Sequence, residues 1–357
     1  MAKTEYGVNH PMAVKAWQKV LSVEALKRTS FWNLIGSKPT SVIHQKDELS
    51  KGKGDQITFG LRMQLTGEGR QGNEVQEGHE EDLSIFTDAV VIDTLRHAVR
   101  SDSDSSISQQ RVPFTIRDEM LDALADWYAN RFDTAWVNQM CGYTPETRTK
   151  FTGNQAVVAP DATHIVRQSA RTTDETLVAG DEFTLTMIDR AVERAGTLAV
   201  PIRPADLGNG AKYYVCVLHD YQVTDLRIDA ATAGNWFDIQ QSAMQGGDIT
   251  GNPIFSGALG VYNQTLLLKN NRITQGVHSS TGAAETDVRR AVFMGAQAGA
   301  LAFGQNHSPN RLNWVEKFFD YEEQLGVQAK SIWGMKKTRF NSLDYASVVL
   351  ASYAVAH

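Results

Sequence analysis

Alternation is the first signal along this chain. Ile57, Phe59, Leu61, Met63 and Leu65 are separated by Thr58, Gly60, Arg62 and Gln64, a period of two that predicts a half-buried strand. A second β-rich run, Leu83 to Val99, carries Ile85, Phe86, Val90, Val91, Ile92 and Leu95. Between the two runs, Thr66 to Asp82 holds four glycines, six acidic residues and one arginine, with too little apolar content to anchor it in a core. The unit reads as a long two-stranded hairpin with a mobile acidic tip. An isolated hairpin is marginal in water, so one of this length calls for a supporting partner.

After a polar linker at Ser101–Gln110 the period changes to 3.6. Leu121, Leu124, Tyr128, Phe132, Ala135, Trp136 and Met140 form one helical stripe. Pro113 fits the first turn, Asp118 and Glu119 suit the positive end of the dipole, and Gly142 and Pro145 stop the helix. From Pro113 to Met140 it would extend roughly 42 Å at 1.5 Å per residue. A shorter helix is predicted over Leu185–Ala195, a strand over Tyr213–Leu218, a helix start at Asp220 and a short helix over Trp236–Met244. Glycines 246, 247, 251, 257 and 260 with Pro253 mark loops. Strands follow at Val261–Leu268 and Ala291–Phe303. From Trp314 to Tyr353 the chain is mostly β, centred on Ile332–Phe340.

Residues 1–54 read as an arm. Asn9 and Pro11 can start a helix bearing Val14, Trp17 and Leu21, and Phe31, Trp32, Leu34 and Ile35 form a second apolar cluster. The arm has nine basic and four acidic residues, while the whole chain has a formal net charge of -6, which argues against a dedicated nucleic-acid binder. With 357 residues, two or three lobes or one body with long projections are expected. Cys141 and Cys216, far apart and outside any CxxC, predict buried thiols and neither a disulfide framework nor a zinc site. The start of the chain has no secretory pattern, and its most apolar stretch is too short to span a bilayer. The chain should therefore be a soluble product of a cytoplasm, with no membrane partner.

Catalytic motifs fail one by one. Gly67-Glu68-Gly69-Arg70-Gln71-Gly72 fits G-x-G-x-x-G, but the acidic stretch after it is a poor helix and repels phosphate. His79-Glu80-Glu81-Asp82 lacks the second histidine of a zinc helix, since position 83 is leucine. No nucleophile elbow or Walker motif occurs. His97, His164 and His219 read as structural. No enzyme, metal or cofactor is expected. Lys336, Lys337 and Arg339 form a basic cluster inside a strand, which either contacts nucleic acid or forms a solvated sheet face.

The order of parts is basic arm, long hairpin, long helix, mixed α/β segment and final β segment. It resembles the Hong Kong 97-type capsid fold of tailed phages, an α+β architecture. Short stretches sharpen the likeness: Tyr6–Pro11, Lys46–Gly52, Ile57–Gly67, Leu95–Ser101, Gln110–Phe114, Arg131–Thr134, Tyr221–Arg227, Asn252–Phe255 with Gly257–Gly260, and Ile332–Lys337. Together they resemble the major capsid family of podoviruses of the Escherichia N-four type, and they span nearly the whole chain.

The resemblance implies an N-terminal arm (1–54), an extended loop (55–100), a peripheral domain with a spine helix (101–200), an axial domain (201–310) and returning peripheral strands (311–357). It implies self-assembly as pentamers and hexamers into an icosahedral virion shell around double-stranded DNA, built in the bacterial host cytoplasm as a procapsid that matures. It implies as partners a portal protein and a separate scaffolding protein, and leaves a decoration protein open. DNA would be held non-specifically, with Lys336, Lys337 and Arg339 as candidates to face it. Candidate inter-subunit contacts are Glu68, Arg70, Glu74, Glu77, Glu80 and Glu81 on the hairpin tip, and Lys15, Lys19, Lys27 and Arg28 on the arm. Neither projection looks suited to burial within its own subunit. The alternatives are an encapsulin-like compartment shell and an unrelated cytoplasmic enzyme.

Overall fold

The computed structural model describes residues 30–46, 54–62, 67–75, 77–103, 106–113, 115–206, 212–233, 258–304 and 312–357. The predicted arm helix after Asn9, the Lys51–Lys53 joint, the Trp236–Met244 helix and the 246–257 loop lie outside those residues. The chain runs through β1 (Ile35–Gly36), β2 (Ile43–Lys46), β3 (Gln56–Arg62), β4 (Ile85–Val91) and β5 (Asp93–Asp102) to helices α1 (Ile107–Arg111) and α2 (Ile116–Cys141). There follow β6 (Ile165–Arg167), α3 (Leu185–Thr197), β7 (Ala205–Asp206), β8 (Lys212–Leu218), α4 (Asp220–Ala233), β9 (Ala258–Tyr262), β10 (Thr265–Lys269) and β11 (Gln275–Val277). The last elements are β12 (Ala284–Met294), β13 (Gly299–Phe303), β14 (Leu312–Phe319), β15 (Gln324–Lys337), β16 (Arg339–Phe340), β17 (Leu343–Asp344) and β18 (Ser347–Tyr353).

Two sheets share one core with α2. The first has the order β1-β2-β13-β15-β14, with β5 also paired to β15. The second has the order β6-β18-β12-β8-β10-β9, with β11 on β12 and β7 on β8. The predicted stripe of α2 is buried from Leu121 to Met140, and its last five residues are buried all round. Phe132 meets Trp333 of the first sheet edge-on at 4.6 Å, while Trp136 and Met140 line a small void with Val217, Val292 and Met294 of the second. The Tyr128 hydroxyl donates to the carbonyls of Leu95 and Ala329 at 3.1 and 2.9 Å. This seals the one polar atom on a wholly buried ring.

Several boundaries differ from the sequence reading. The polar linker contains α1, capped by the Ser106 hydroxyl. The spine helix starts at Ile116 and not at Pro113, because Gln109 of α1 accepts the Ile116 N–H at 2.9 Å and supplies the cap from the preceding element. The apolar run Ala291–Phe303 is two strands in different sheets. It crosses at Gly295–Ala298, where Gln297 adopts φ +60°. Both strands are buried on both faces, so hydropathy shows no break there. Val261–Leu268 likewise divides into β9 and β10 around Asn263 and Gln264, each with positive φ.

The end of the arm is the largest correction. Phe31, Leu34, Val42 and Ile43 are core residues, and β2 lies parallel to β13 from Ile43↔Gly299 to Lys46↔Ala302. Phe31 packs on Trp136 at 5.5 Å. Residues 30–46 are thus part of the body and do not project from it.

Candidate assembly surfaces

The hairpin is present where alternation placed it. β3 and β4 pair antiparallel from Gln56↔Val91 to Arg62↔Ile85. Ile57 is buried, Phe59 and Leu61 are half-buried, and the intervening residues are exposed. The second β-rich run is not one strand, however. It divides at Ile92, and β5 leaves the hairpin to pair with β15.

The root is held by contacts that alternation does not reveal. Ile57, Val90 and Ile92 form a small apolar cluster with Ala300 and Ala302 of β13, flanked by Phe59 and Ile332. Gly334 lets β15 approach β4, since a Cβ there would overlap the Val91 carbonyl oxygen. The same carbonyl accepts from Gln155 Nε2 at 2.7 Å. Asp88, a buried acid, pairs with Lys336 Nζ and accepts the Arg339 N–H at 3.0 Å.

Beyond the root, burial fades. Val75, Leu83 and Ile85 are 69%, 57% and 56% exposed. Tip residues 67–75 and 77–84 are all exposed, and they form turns and no helix. This removes the helix that a phosphate-binding glycine loop would need. Glu81 accepts the Gly67 N–H at 2.7 Å, Glu80 accepts the Gly78 N–H at 2.8 Å, and Arg70 lies 3.6 Å from Glu74. Glu68 and Glu77 share the same exposed tip. The structure therefore brings the six predicted tip contacts together on one projection. The arm candidates Lys15, Lys19, Lys27 and Arg28 lie outside the described residues.

The basic cluster behaves differently from either sequence reading. Lys337 is 2% exposed and its Nζ lies 2.7 Å from Asp344, while Arg339 Nε lies 2.9 Å from the same carboxylate. Burial pushes the Lys337 amine below the ordinary lysine range, opposed by Asp344. Lys336 locks the hairpin root. Lys337 is thus buried, while Lys336 and Arg339 stay partly exposed, and each of the three cations pairs with a carboxylate of its own chain. Asp161 stands behind this group, accepting the Asp344 N–H at 2.8 Å. Burial raises its carboxyl, but bonds from Thr163, Asp344 and His164 outweigh that and hold it below the usual range.

Sequence reasoning missed one further centre. Asp174, buried in the second sheet's flank, pairs with Arg290 and Arg167 at 2.7 Å each. Arg290 also donates to the carbonyls of Cys141 and Gly142 at 3.3 and 3.1 Å, and so caps α2. Gly142 adopts φ +63°, the left-handed stop the sequence predicted. No local motif announces a triad drawn from positions 167, 174 and 290. The two cysteines are buried and free, as expected.

The body with its anchored hairpin has relatives among known proteins. The family model for phage capsid proteins matches residues 5–356. The chain belongs to the phage capsid protein family. As a phage major capsid protein it is similar to that of Pseudomonas phage KPP25, with 25% identity over 344 residues that cover 89% of this chain and 87% of the relative. The capsid of Ralstonia phage GP4 matches at TM-score 0.79 and 29% identity, covering 99% of both chains. The capsid of cyanophage Pam1 matches at TM-score 0.70 and 17% identity, covering 93% of this chain and 94% of that one. The capsid protein thus has the Hong Kong 97-type fold that the order of its parts suggested. The encapsulin-like alternative has weaker support, since a Synechococcus elongatus encapsulin matches at TM-score 0.50 and 9% identity.

Proposed function

We propose that this capsid protein tiles an icosahedral shell as pentamers and hexamers, with its hairpin laid over a neighbouring copy. The observation that carries the reading is the contrast along the hairpin. Its root is built into the body, while its outer half exposes Val75, Leu83 and Ile85 beside the acidic tip. Exposed aliphatic side chains on a two-stranded ribbon ask for cover from another molecule. The glutamates at 68, 74, 77, 80 and 81, with Arg70, would meet positive charge on the neighbour, to which Lys15, Lys19, Lys27 and Arg28 of the arm contribute.

The division into extended loop, peripheral and axial domains belongs to the same proposal. So do a portal protein, a separate scaffold and packaged double-stranded DNA as partners, a decoration protein as an optional one, and assembly in the host cytoplasm. The test is electron microscopy of particles from the full chain, with light scattering to follow their growth. Glu77→Lys, Glu80→Lys and Glu81→Lys together should slow assembly at low salt, and less so at high salt. Small oligomers from the unaltered chain, even with scaffold supplied, would overturn the reading.

A further inference from the structure

An open groove of about 760 Å³ lies between α3 and the segment that follows β6. Four arginines line it, Arg167 and Arg171 on one wall and Arg190 and Arg194 on the other, against one acid, Glu193. Asp174 and Asp181 hold Arg167 and Arg171 at 2.7 and 2.9 Å and so fix their direction. Arg190 and Arg194 stand four residues apart and share one helix face. Arg194 makes a long 3.4 Å bond to the Thr163 carbonyl, and neither arginine forms an ion pair among the described residues. In a chain of net charge -6, the positive charge left for an incoming group is that of Arg190 and Arg194, since Asp174 and Asp181 offset the other two. Ala162, Ile165, Val166, Ala170, Leu198 and Ala199 add small and apolar surface to the lining, beside three threonines.

We infer that this groove receives the acidic hairpin tip of a second copy of the chain. The inference rests on the shell reading above and names the receiving surface. Between Thr66 and Asp82 the tip has six acids and one arginine. It also exposes Val75, with Leu83 just beyond, and these suit the apolar lining. A nucleic-acid backbone would bring the charge without the aliphatic groups. The hairpin root sits on β13 and β15 of the first sheet, whereas the groove borders β6, the edge strand of the second. No residue of the chain's own tip lines the groove, and that tip is exposed throughout its described residues, so the occupant is a neighbour's tip.

Paired cysteines test this in assembled particles. Glu77→Cys and Arg190→Cys are introduced together into the full chain, where native Cys141 and Cys216 are buried. Oxidation should give a ladder of cross-linked chains, absent in either single variant and weakened at high salt. R190E/R194E should slow assembly about tenfold or more at low salt, and adding E77K/E80K should restore it. Normal particles without the ladder would overturn the inference while leaving the shell reading intact. R190E/R194E particles that form at the ordinary rate but hold less DNA would make nucleic acid the occupant and also overturn it. Failure of the unaltered chain to form particles, even with scaffold supplied, would remove the shell reading itself.

Discussion

Asp344→Ala probes the buried pair that Lys337 forms with Asp344. Lys337 Nζ sits 2.7 Å from Asp344 Oδ2, with side chains 2% and 1% exposed. Without the carboxylate, the amine is left on the Val158 carbonyl at 3.3 Å. Arg339 also loses this carboxylate, but it keeps the Ser342 carbonyl, and its side chain is 19% exposed and can turn toward water. Breaking a buried pair from one side costs about 3–5 kcal/mol. Lys337→Met leaves Asp344 paired with Arg339 and keeps the volume filled, so its cost should stay near 1 kcal/mol. The double variant should recover about 2 kcal/mol relative to the sum of the singles. Urea unfolding of disassembled subunits, followed by tryptophan fluorescence, gives these values. A pH series adds a signature. In Asp344→Ala the lysine value falls further, so between that value and about 10.4 the unfolded chain binds more protons than the native one. Stability of the variant therefore rises as pH rises through that window. Equal costs below about 1 kcal/mol for both singles, with no pH trend, would refute the burial of this pair.

Three other outcomes follow from the same geometry. Burial raises the Asp133 carboxyl to about 6, against hydrogen bonds from Ser30 and the charge of Arg272. Its native value exceeds its unfolded one, so the wild type should lose roughly 2–3 kcal/mol relative to Asp133→Asn between pH 4 and 7, read from urea midpoints. Lys336→Ala takes the cation from Asp88 at the hairpin root and leaves it only backbone N–H donors, and hydrogen exchange in β3 and β4 should quicken about tenfold, equivalent to about 1.4 kcal/mol, with α2 unchanged. Gly334→Ala forces a Cβ against the Val91 carbonyl, so limited proteolysis should cut at the hairpin root faster than in the wild type.

The sequence by itself determined the elements whose pattern is local. Alternation from Ile57 marked the hairpin, the 3.6-residue stripe from Leu121 marked the spine helix, and Gly142 marked its end. Charge counting located the acidic tip and excluded a phosphate loop there. These signals were legible because one face of each element is buried and the other is wet, so periodicity records the environment. Only the tertiary structure decided which sheet each strand joins. Ala291–Phe303 looks like one strand because both halves are buried on both faces. Leu83–Val99 looks like one strand because β4 and β5 meet at a single residue, Ile92. The fate of the cations was equally illegible. Lys337 differs from a surface lysine only through Asp344 across a turn, and Arg290 only through Asp174, 116 positions away. Pairing of distant charges leaves no period in the chain, so it is settled where packing excludes water.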